Sequence, residues 1–427
     1  MSKSTMTITP IAAIQGEMRP PSDKSLTHRA FMFGSIARSP SVVINPLEGE
    51  DCLSTLYALI HLGLRQERMH DGACRLIPAK EWVQPTASID CGNSGTTMRL
   101  MAGLIASRPL EVTMTGDASL SKRPMGRIAT PLRLMGADID GERAPITIRG
   151  GSLRGIHYVS PVASAQVKSC LLLAGLRADG VTTVEEPALS RDHTERMLGA
   201  TGVQLQREGL SVSVKGGQTV DGFRFDVPGD ISSAAFFMVA VAMLSGSELL
   251  VKDLSVNPSR TGLLDVFEQA GVPFEVNNLR EALGEPVADV FVSTAATLKP
   301  FTIDGDLVPR LIDEIPVLAV LATQCEGTSL IRNAKELRVK ESDRIETVAT
   351  VLRRMGVEVE TFEDGMAITG PVRLQSTILD AGGDHRIAMA FAIAGLIADG
   401  VTEIHGAESI LTSFPHFEAE LNRLGVY

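Results

Sequence analysis

The sequence contains few cysteines and no long apolar runs, features that mark metal-binding, disulfide-bonded and membrane-spanning proteins. Its five cysteines are scattered, odd in number and never arranged as C-x-x-C. This pattern argues against a paired-cysteine zinc site or a disulfide framework and fits a reducing compartment. The longest apolar runs, such as 387–398, are too short to span a bilayer, and the first residues lack the apolar run of a signal peptide. We therefore expect a cytoplasmic protein with no membrane partner.

Basic residues are in the minority, with 40 Lys and Arg against 51 Asp and Glu and a net charge of −11. This balance argues against non-specific binding of nucleic acid through a basic surface. No Walker phosphate-binding loop and no G-x-G-x-x-G fingerprint opens a helix. What the chain does have is the 44% hydrophobic and 21% charged composition of a globular protein, with 427 residues that predict two or three domains.

A unit of roughly 70 residues recurs six times along the chain. Its first signature is an amphipathic helix that ends at a glycine and is followed by a strand. The glycine fits the left-handed position that ends many helices. The six glycines are Gly63, Gly136, Gly202, Gly271, Gly356 and Gly425.

The second signature is a helix that is apolar nearly all round, followed by a β-branched strand. Such helices should be buried, whereas the glycine-ended helices should lie at the surface. The apolar helices begin near Ser25, Ser94, Ala165, Ser232, Asp313 and Asp384, and the strands after them cover 41–44, 110–114, 181–184, 248–251, 328–331 and 401–404. Six α/β units sort into three plus three, with the best break at 227–230, where Pro and Gly interrupt the pattern.

Polar residues gather just before and within the first turn of each predicted buried helix. They occupy 22–25 with Arg29, 92–96 with Arg99, 164–166, 229–233, 312–314 and 383–386. Helix N-termini present free N–H groups and a positive dipole end, so several aimed at one point would bind anions strongly. Each start taken alone could be an ordinary turn. His193 and His385 could each be a satisfied histidine, and 384–385 alone does not supply a metal site.

The stretch 337–344 precedes a further amphipathic helix and breaks a local rule. Ser342 is the predicted N-cap, which places Arg344 in the first turn, where the helix dipole disfavours a cation. An anion held by Arg344 and Lys340 would make this arrangement favourable, and Glu341 could then exchange protons with it. A solvated charged turn is the alternative.

Together these segments resemble the 5-enolpyruvylshikimate-3-phosphate synthase family of enolpyruvyl transferases. The matching motifs occupy 23–29, 92–99, 116–126, 164–166, 337–344 and 384–386, in that order. The resemblance implies an α/β fold of two similar domains, each of three βαβαββ units with buried parallel helices, an inside-out α/β barrel. Residues 21–228 would form one lobe, and 1–20 with 229–427 the other, with the active site in the cleft between them.

The resemblance also implies an activity, namely transfer of the enolpyruvyl group of phosphoenolpyruvate to the 5-hydroxyl of shikimate 3-phosphate. This addition–elimination releases phosphate and serves the biosynthesis of chorismate and the aromatic amino acids. Its proton transfers need acids and bases, and its crowded phosphates and carboxylates need fixed cations. No redox step or water activation occurs, so we expect no cofactor and no metal. A monomer is expected.

Residue roles follow from the resemblance, motif by motif. The catalytic residues would be Lys24, Asp313 and Glu341. Shikimate 3-phosphate would be bound by Lys24, Ser25, Arg29, Ser164, Ala165, Gln166, Arg191, Asp313 and Lys340. Phosphoenolpyruvate would be bound by Lys24, Asn93, Gly95, Arg123, Gln166, Glu341, Arg344, His385 and Arg386.

The chain departs from the family pattern at Ser22, Leu100 and Thr412, where a glycine, a proline and a lysine are common, and its sensitivity to glyphosate stays open. One alternative is the sister enolpyruvyl transferase that acts on UDP-N-acetylglucosamine. That enzyme usually carries a cysteine on its lid loop, whereas 121–125 contains none. The other alternative is a non-catalytic α/β repeat module, which predicts charges scattered over outer helices.

Overall fold

The structure, a computed structural model, describes residues 4–70 and 72–427. These residues divide into two compact units. The 22–227 unit also contains residues 281–285, and the 228–427 unit contains the remaining residues together with the described residues up to Pro21. Each unit has its own buried apolar core.

Helices and strands alternate along both units. The α-helices of the described chain are α1 (Lys24–Ile36), α2 (Glu50–His61), α3 (Gly95–Ala106), α4 (Gly126–Met135), α5 (Ala165–Gly175), α6 (His193–Ala200), α7 (Ile231–Met243), α8 (Gly262–Ala270), α9 (Val308–Leu311), α10 (Ile315–Ala322), α11 (Arg344–Arg354), α12 (His385–Gly395) and α13 (Phe417–Leu424). Short 3₁₀ helices cover Leu120–Lys122, Gly305–Leu307, Lys335–Val339 and Ala407–Thr412.

The strands are mostly short. They are β1 (Thr5–Ile8), β2 (Ala13–Met18), β3 (Ser41–Ile44), β4 (Arg65–Arg68), β5 (Cys74–Ile77), β6 (Ile89–Asp90), β7 (Glu111–Thr115), β8 (Asp138–Asp140), β9 (Ile146–Arg149), β10 (His157–Val159), β11 (Val181–Glu185), β12 (Leu205–Glu208), β13 (Ser211–Lys215), β14 (Arg224–Asp226), β15 (Glu248–Ser255), β16 (Phe274–Ala282), β17 (Glu285–Ser293), β18 (Thr302–Ile303), β19 (Gly327–Ile331), β20 (Glu358–Phe362), β21 (Gly365–Gly370), β22 (Ile378–Asp380), β23 (Thr402–His405) and β24 (Gly425–Val426).

Three four-stranded sheets form in the 22–227 unit, in the orders β14-β3-β5-β4, β6-β7-β9-β8 and β10-β11-β13-β12. In each sheet the first pair is parallel and the other two pairs are antiparallel. A buried helix connects the parallel strands of the second and third sheets, as a parallel connection requires.

The sheets of the 228–427 unit have the orders β18-β19-β21-β20, β16-β17-β15-β2-β24 and β1-β23-β22. The N-terminal segment contributes to two of them, because β1 pairs antiparallel with β23 and β2 pairs parallel with β15. The mixed α/β class predicted from the sequence is therefore confirmed.

The helices fall into the two predicted classes. The apolar helices α1, α3, α5, α7, α10 and α12 are buried over most of their length, and α7 is buried from Ile231 to Ala242. The glycine-ended helices bury one face only, as their amphipathic patterns indicate. The strands after the buried helices lie within one residue of their predicted starts.

Side chains cap five of the six buried helices. Asp23, Ser94, Ser164, Asp230 and Asp384 each accept a hydrogen bond from a backbone N–H of the first turn. Helix α10 differs, because Glu314 stands at its N-cap position without such a bond and the helix begins only at Ile315. Asp313, predicted near a helix start, therefore lies in the turn between α9 and α10.

The glycine prediction holds at five of its six positions. Gly63, Gly136, Gly202, Gly271 and Gly356 all have positive φ, between 75° and 108°. The prediction is wrong at Gly425, whose φ of −70° and ψ of 132° are extended. Gly425 begins β24, which pairs with β2, so sheet pairing replaces the left-handed helix end there.

Two general findings concern the described part of the chain. No helix in it combines the length and the apolar composition needed to cross a membrane. No group of three or more His, Cys, Asp or Glu side chains in it is arranged to hold a metal ion.

Candidate functional site

The start of α3 brings two arginines and an amide together. Ser94 caps the helix, so Gly95 is its first residue and Arg99 lies one turn further on. Arg99 donates a hydrogen bond from Nη1 to Oε1 of Gln166 at 2.5 Å, and the Gln166 amide donates to the hydroxyl of Thr96 at 3.0 Å. Both bonds join the first two turns of α3 to the first turn of α5.

Arg123 reaches the same place from the loop that follows the 3₁₀ helix. Its Nη2 donates to Oδ1 of Asn93 at 2.5 Å, and the Asn93 amide in turn donates to Asp117 at 2.8 Å. Asp117 also accepts from the backbone N–H groups of Ser119 and Leu120, which fixes the turn that leads to Arg123. These hydrogen bonds to Asp117 fix the loop that carries the guanidinium of Arg123.

Gly95 has no Cβ, and it lies where the two arginine side chains approach the helix start. A Cβ placed there would lie 3.3 Å from Nη1 of Arg123 and 3.3 Å from Nη1 of Arg99. Such contacts are tight, so a glycine lets both guanidinium groups lie against the helix start. We call Asn93, Gly95, Arg99, Arg123 and Gln166 the Gly95 cluster.

Lys24 opens helix α1 and is held by an acid. Its ammonium forms an ion pair with Asp51, in the first turn of α2, and both side chains are more than four-fifths buried. A cation at a helix N-terminus is unfavourable by itself, so the pairing offsets the local dipole. Ser25, the next residue, is half-buried and offers its backbone oxygen to Arg29 at 3.0 Å.

Arg29 is buried in a network of hydroxyl groups. Its Nε donates to Thr194 at 2.7 Å and its Nη2 to Ser169 at 2.9 Å. Burial lowers the pKa of Arg29 to about 10, with Arg191 adding to the lowering and Glu195 opposing it. The guanidinium therefore stays charged at neutral pH. Arg191 itself is half-buried and precedes the start of α6.

Ser164, just before Ala165, is held by the buried carboxylate of Glu186, which was not predicted from the sequence. The Ser164 N–H donates to Oε1 of Glu186 at 2.9 Å, and the other oxygen of Glu186 lies 2.9 Å from Nζ of Lys168. Lys168 also pairs with Glu195 at 2.8 Å and is 1% exposed. The start of α5, where Ala165 is the first helical residue, is thereby tied to the segment before α6.

In the 228–427 unit, three cations surround one carboxylate. Oδ1 of Asp313 lies 3.5 Å from Nζ of Lys340, 3.4 Å from Nη1 of Arg344 and 3.9 Å from Nε of Arg386. Arg386 also donates from Nη1 to the backbone oxygen of Asp313 at 3.4 Å. We call Asp313, Lys340, Glu341, Arg344 and Arg386 the Asp313 cluster.

Arg344 is the first residue of α11 and is 1% exposed. It donates to Glu341 at 2.8 Å and to both oxygens of Asp384 at 2.9 and 3.2 Å. Burial alone would lower the pKa of Arg344, but Asp384 and Glu341 raise it above the usual value. Burial likewise would raise the pKa of Asp384, whereas Arg344 holds it below its usual value. The predicted exception to the dipole rule is real, and carboxylates supply the compensating charge.

The cap of α11 corrects one prediction. Asp343, rather than Ser342, accepts from the Glu346 N–H, because the helix begins one residue later than expected. Ser342 instead donates its hydroxyl to Asp384 at 2.9 Å. Asp384 therefore anchors Arg344, Ser342 and the start of α12 at once.

The remaining predicted positions are less informative. His385 is the first residue of α12 and is buried. Ser22 donates its hydroxyl to the backbone oxygen of Val227 at 3.3 Å, Leu100 is buried inside α3, and Thr412 ends the 3₁₀ helix Ala407–Thr412.

Five residues with clear contacts to the predicted site were not assigned roles from the sequence: Asp51, Arg99, Lys168, Glu186 and Asp384. Arg99 and Asp384 stand inside the motifs at 92–99 and 384–386. Lys168 shares a buried helix with Gln166, and a lysine in an otherwise apolar helix is a usable signal of a buried partner. Asp51 and Glu186 have no such signal, because their partners are distant in sequence.

The two clusters have the chemistry of anion binding and proton transfer. Guanidinium groups oriented by amides bind carboxylate and phosphate oxygens in two-pronged fashion. A carboxylate held among three cations and a second acid on the same arginine are groups that can give or accept a proton.

Comparisons with known proteins agree on one family. A model of the family described as EPSP synthase (3-phosphoshikimate 1-carboxyvinyltransferase) matches residues 8–421. A 3-phosphoshikimate 1-carboxyvinyltransferase of Brevibacillus brevis is 53% identical over 411 residues, which cover 95% of this chain and 96% of that protein. The enzyme of the same name from Bacillus cereus is 48% identical over 424 residues, which cover 98% of this chain and 99% of that protein.

A solved structure gives the same result. An EPSP synthase from Acinetobacter baumannii has a TM-score of 0.89 and 44% sequence identity, and the match covers 100% of this chain and 99% of that chain. With the family model, the relatives and the fold in agreement, the chain belongs to the EPSP synthase (3-phosphoshikimate 1-carboxyvinyltransferase) family.

Proposed function

We propose that the protein transfers the enolpyruvyl group of phosphoenolpyruvate to the 5-hydroxyl of shikimate 3-phosphate, in the shikimate pathway. Family membership and the names of relatives about half identical to this chain support the reaction. The observation that carries it in the structure is the Asp313 cluster. There an acid at Asp313 and an acid at Glu341 are joined through one buried arginine, Arg344.

The reaction begins when the 5-hydroxyl attacks C2 of phosphoenolpyruvate. Asp313 takes the hydroxyl proton, and C3 gains a proton from Glu341. In the second step C3 returns a proton to Glu341, the C2–O bond to phosphate breaks, and the double bond of the enolpyruvyl product forms. The proton taken up by Asp313 leaves with the released phosphate, which restores both acids to their starting states. Asp313 is assigned as the base because a carboxylate can accept a proton and because Lys340, Arg344 and Arg386 hold this one in place. Lys24 is the third group proposed to move protons or hold the phosphoenolpyruvate anion.

Substrate binding is assigned to the remaining residues. We infer that Ser25, Arg29, Ser164, Ala165, Gln166, Arg191 and Lys340 bind shikimate 3-phosphate, together with Lys24 and Asp313. Asn93, Gly95, Arg123, Arg344, His385 and Arg386 bind phosphoenolpyruvate, together with Lys24, Gln166 and Glu341. The support is that the structure gathers Gly95, Arg123 and Gln166 in one cluster and Asp313, Arg344 and Arg386 in the other.

The finer architecture is also proposed. We infer that each unit is an inside-out α/β barrel, in which three βαβαββ repeats surround parallel buried helices. The strand orders and the burial of α3, α5, α10 and α12 support this reading. The domains would be 21–228 and 1–20 with 229–427, both clusters serving one reaction. The cytoplasmic location and the monomeric state stay predictions.

A phosphate-release assay tests the function. The purified protein should release one phosphate for each 5-enolpyruvylshikimate 3-phosphate formed from shikimate 3-phosphate and phosphoenolpyruvate. UDP-N-acetylglucosamine in place of shikimate 3-phosphate should give no release. Release with the sugar nucleotide alone would assign the protein to the sister activity, and release with neither acceptor would remove the proposal.

A further inference from the structure

A buried polar cluster lies at the starts of α7 and α10, outside the residues assigned above. Arg260 donates from Nη2 to the hydroxyl of Ser232 at 2.5 Å and to Asp230 at 3.1 Å. Ser232 donates its hydroxyl to Oε1 of Glu314, which lies 3.9 Å from Arg260. The side chains of Arg260 and Glu314 are 2% and 0% exposed.

Charged groups this deeply buried are expensive unless they are paired. The cluster meets that demand by joining three separate segments of the 228–427 unit. Asp230 caps α7, Ser232 lies in its first turn, Arg260 precedes α8, and Glu314 precedes α10. The Ser232 hydroxyl is the bridge, because it accepts from Arg260 and donates to Glu314.

The backbone of Glu314 is held as firmly as its side chain. Its N–H donates to the oxygen of Leu311 at 2.9 Å, and its carbonyl oxygen accepts from Leu318 at 3.0 Å. Helix α10 thus begins from a residue fixed through both backbone and carboxylate, although it lacks a side-chain cap.

Glu314 shares a peptide group with Asp313, a residue that contacts the proposed site through its backbone carbonyl oxygen and through its carboxylate. The carbonyl oxygen of the peptide, which belongs to Asp313, accepts from Nη1 of Arg386 at 3.4 Å. The Asp313 carboxylate stands on the same residue, among Lys340, Arg344 and Arg386. A shift of the peptide would therefore move both the base and the acceptor that orients Arg386.

We infer that Ser232 and Arg260 are positioning residues for enolpyruvyl transfer, acting through Glu314 on Asp313 and Arg386. The inference rests on the proposed function. It predicts a defined kinetic pattern, since Asp313 serves proton transfer and Arg386 serves phosphoenolpyruvate binding. Loosening the bridge should lower kcat and raise the KM for phosphoenolpyruvate together.

The test compares two neighbouring serines. Ser232→Ala removes the bridge with little change in volume, and we expect kcat to fall about tenfold with a several-fold rise in the KM for phosphoenolpyruvate, since small misplacements of catalytic groups cost this much or more. Ser233→Ala is the matched control, because Ser233 is buried in the same turn and its backbone N–H, not its hydroxyl, makes the bond to Asp230. The control should keep wild-type kinetics.

A second background separates positioning from mere destabilisation. In Asp313→Asn the base is absent but the backbone carbonyl remains, so Ser232→Ala should add no further loss of kcat and should still raise the KM for phosphoenolpyruvate. A kcat penalty of full size in that background would overturn the inference. So would a Ser232→Ala enzyme with a lower unfolding midpoint but unchanged kinetic constants.

Ser232→Cys asks the same question if Ser232→Ala fails to fold, because a thiol fills the place of the hydroxyl but is only a weak donor and acceptor of hydrogen bonds. Wild-type constants in Ser232→Cys would overturn the inference. The proposed function fails separately, since an inactive wild-type protein removes both proposals, whereas an active wild type with an unaffected variant removes only this one.

Discussion

The Gly95 cluster and the Asp313 cluster are both rich in arginine, yet their arginines have different partners. In the Gly95 cluster, Arg99 and Arg123 donate to the amide oxygens of Gln166 and Asn93. In the Asp313 cluster, Arg344 pairs with the carboxylates of Asp313 and Glu341. An amide orients a guanidinium without neutralising it, whereas a carboxylate balances its charge and can also carry a proton. We propose from this difference that the Gly95 cluster serves anion binding alone, whereas the Asp313 cluster adds proton transfer to anion binding.

The largest expected effect is that of Glu341→Gln. The change keeps the size of the side chain and its contact with Arg344 but removes the group that exchanges a proton with C3. General acid–base groups contribute about a hundredfold to ten-thousandfold, so we expect kcat to fall about a thousandfold. The KM for phosphoenolpyruvate, which Glu341 is also proposed to contact, should change far less than kcat. Glu346→Gln, an exposed neighbour on α11, is the control. Near-normal turnover of Glu341→Gln would contradict the assignment of proton transfer to this cluster.

Arg123→Gln should act on binding instead. Loss of a charge-assisted hydrogen bond costs about 2 kcal/mol, so the KM for phosphoenolpyruvate should rise about thirtyfold while kcat at saturation changes far less. Lys122→Gln, the exposed preceding residue, should leave both constants unchanged. Steady-state kinetics with varied phosphoenolpyruvate measure this, and a loss confined to kcat would break the distinction between the clusters.

The two units should also differ in their sensitivity to acid. His28 is buried beside Lys24 and Arg29, and burial, with both charges, holds its pKa well below 6.5. As the pH falls below 6.5, His28 binds a proton in the unfolded chain but not in the folded unit. The free energy of unfolding therefore falls by at most about 1.4 kcal/mol per pH unit. The Asp384 contribution, whose pKa is lowered, is full above the usual 3.8 and is lost only as the pH falls below that value.

Urea unfolding at pH 7 and pH 5.5 measures this difference. The unfolding midpoint of the wild-type protein should be lower at pH 5.5 than at pH 7, and His28→Gln should reduce this difference. Asp384→Asn should lower the midpoint at both pH values and leave the difference between them unchanged. An equal drop in wild type and His28→Gln would rule out the histidine as its source.

Gly95→Ala is the mildest change proposed. The new Cβ would lie 3.3 Å from one nitrogen of Arg99 and one of Arg123, and both atoms are the ends of flexible side chains. A small retreat of either group is therefore enough, and we expect the KM for phosphoenolpyruvate to rise about fivefold, which corresponds to about 1 kcal/mol. Gly180→Ala offers a comparison of stability alone, because it sits in a turn at positive φ with open space around it.

The repeat and the helix classes could be predicted because both follow from local periodicity. Apolar residues all round α7 require burial wherever that helix lies, and Gly136 ends α4 in a left-handed conformation that few other residues adopt. The prediction was wrong at Gly425 because the conformation of this residue is set by pairing with β2, a strand more than four hundred residues away in sequence. Local patterns cannot report such a partner.

The residues of the proposed site likewise include some that local patterns reveal and some that only the fold brings together. Lys24 and Arg344 each open a helix, where a polar residue stands out against an apolar pattern, whereas Arg123 lies in a loop and was predicted through the family resemblance alone. Their partners Asp51 and Asp384 come from other segments, and only folding shows that each neutralises a particular cation. The buried bridge at Ser232 is of this second kind.

Deuterium at C3 of the enolpyruvyl group tests the central claim most directly. During turnover in D₂O the acid at Glu341 carries deuterium, and the methyl group formed at C3 rotates within picoseconds to nanoseconds, long before elimination. We predict that most product molecules carry deuterium in the methylene group by mass spectrometry. Product formed without deuterium would contradict an addition–elimination in which the Asp313 cluster protonates C3.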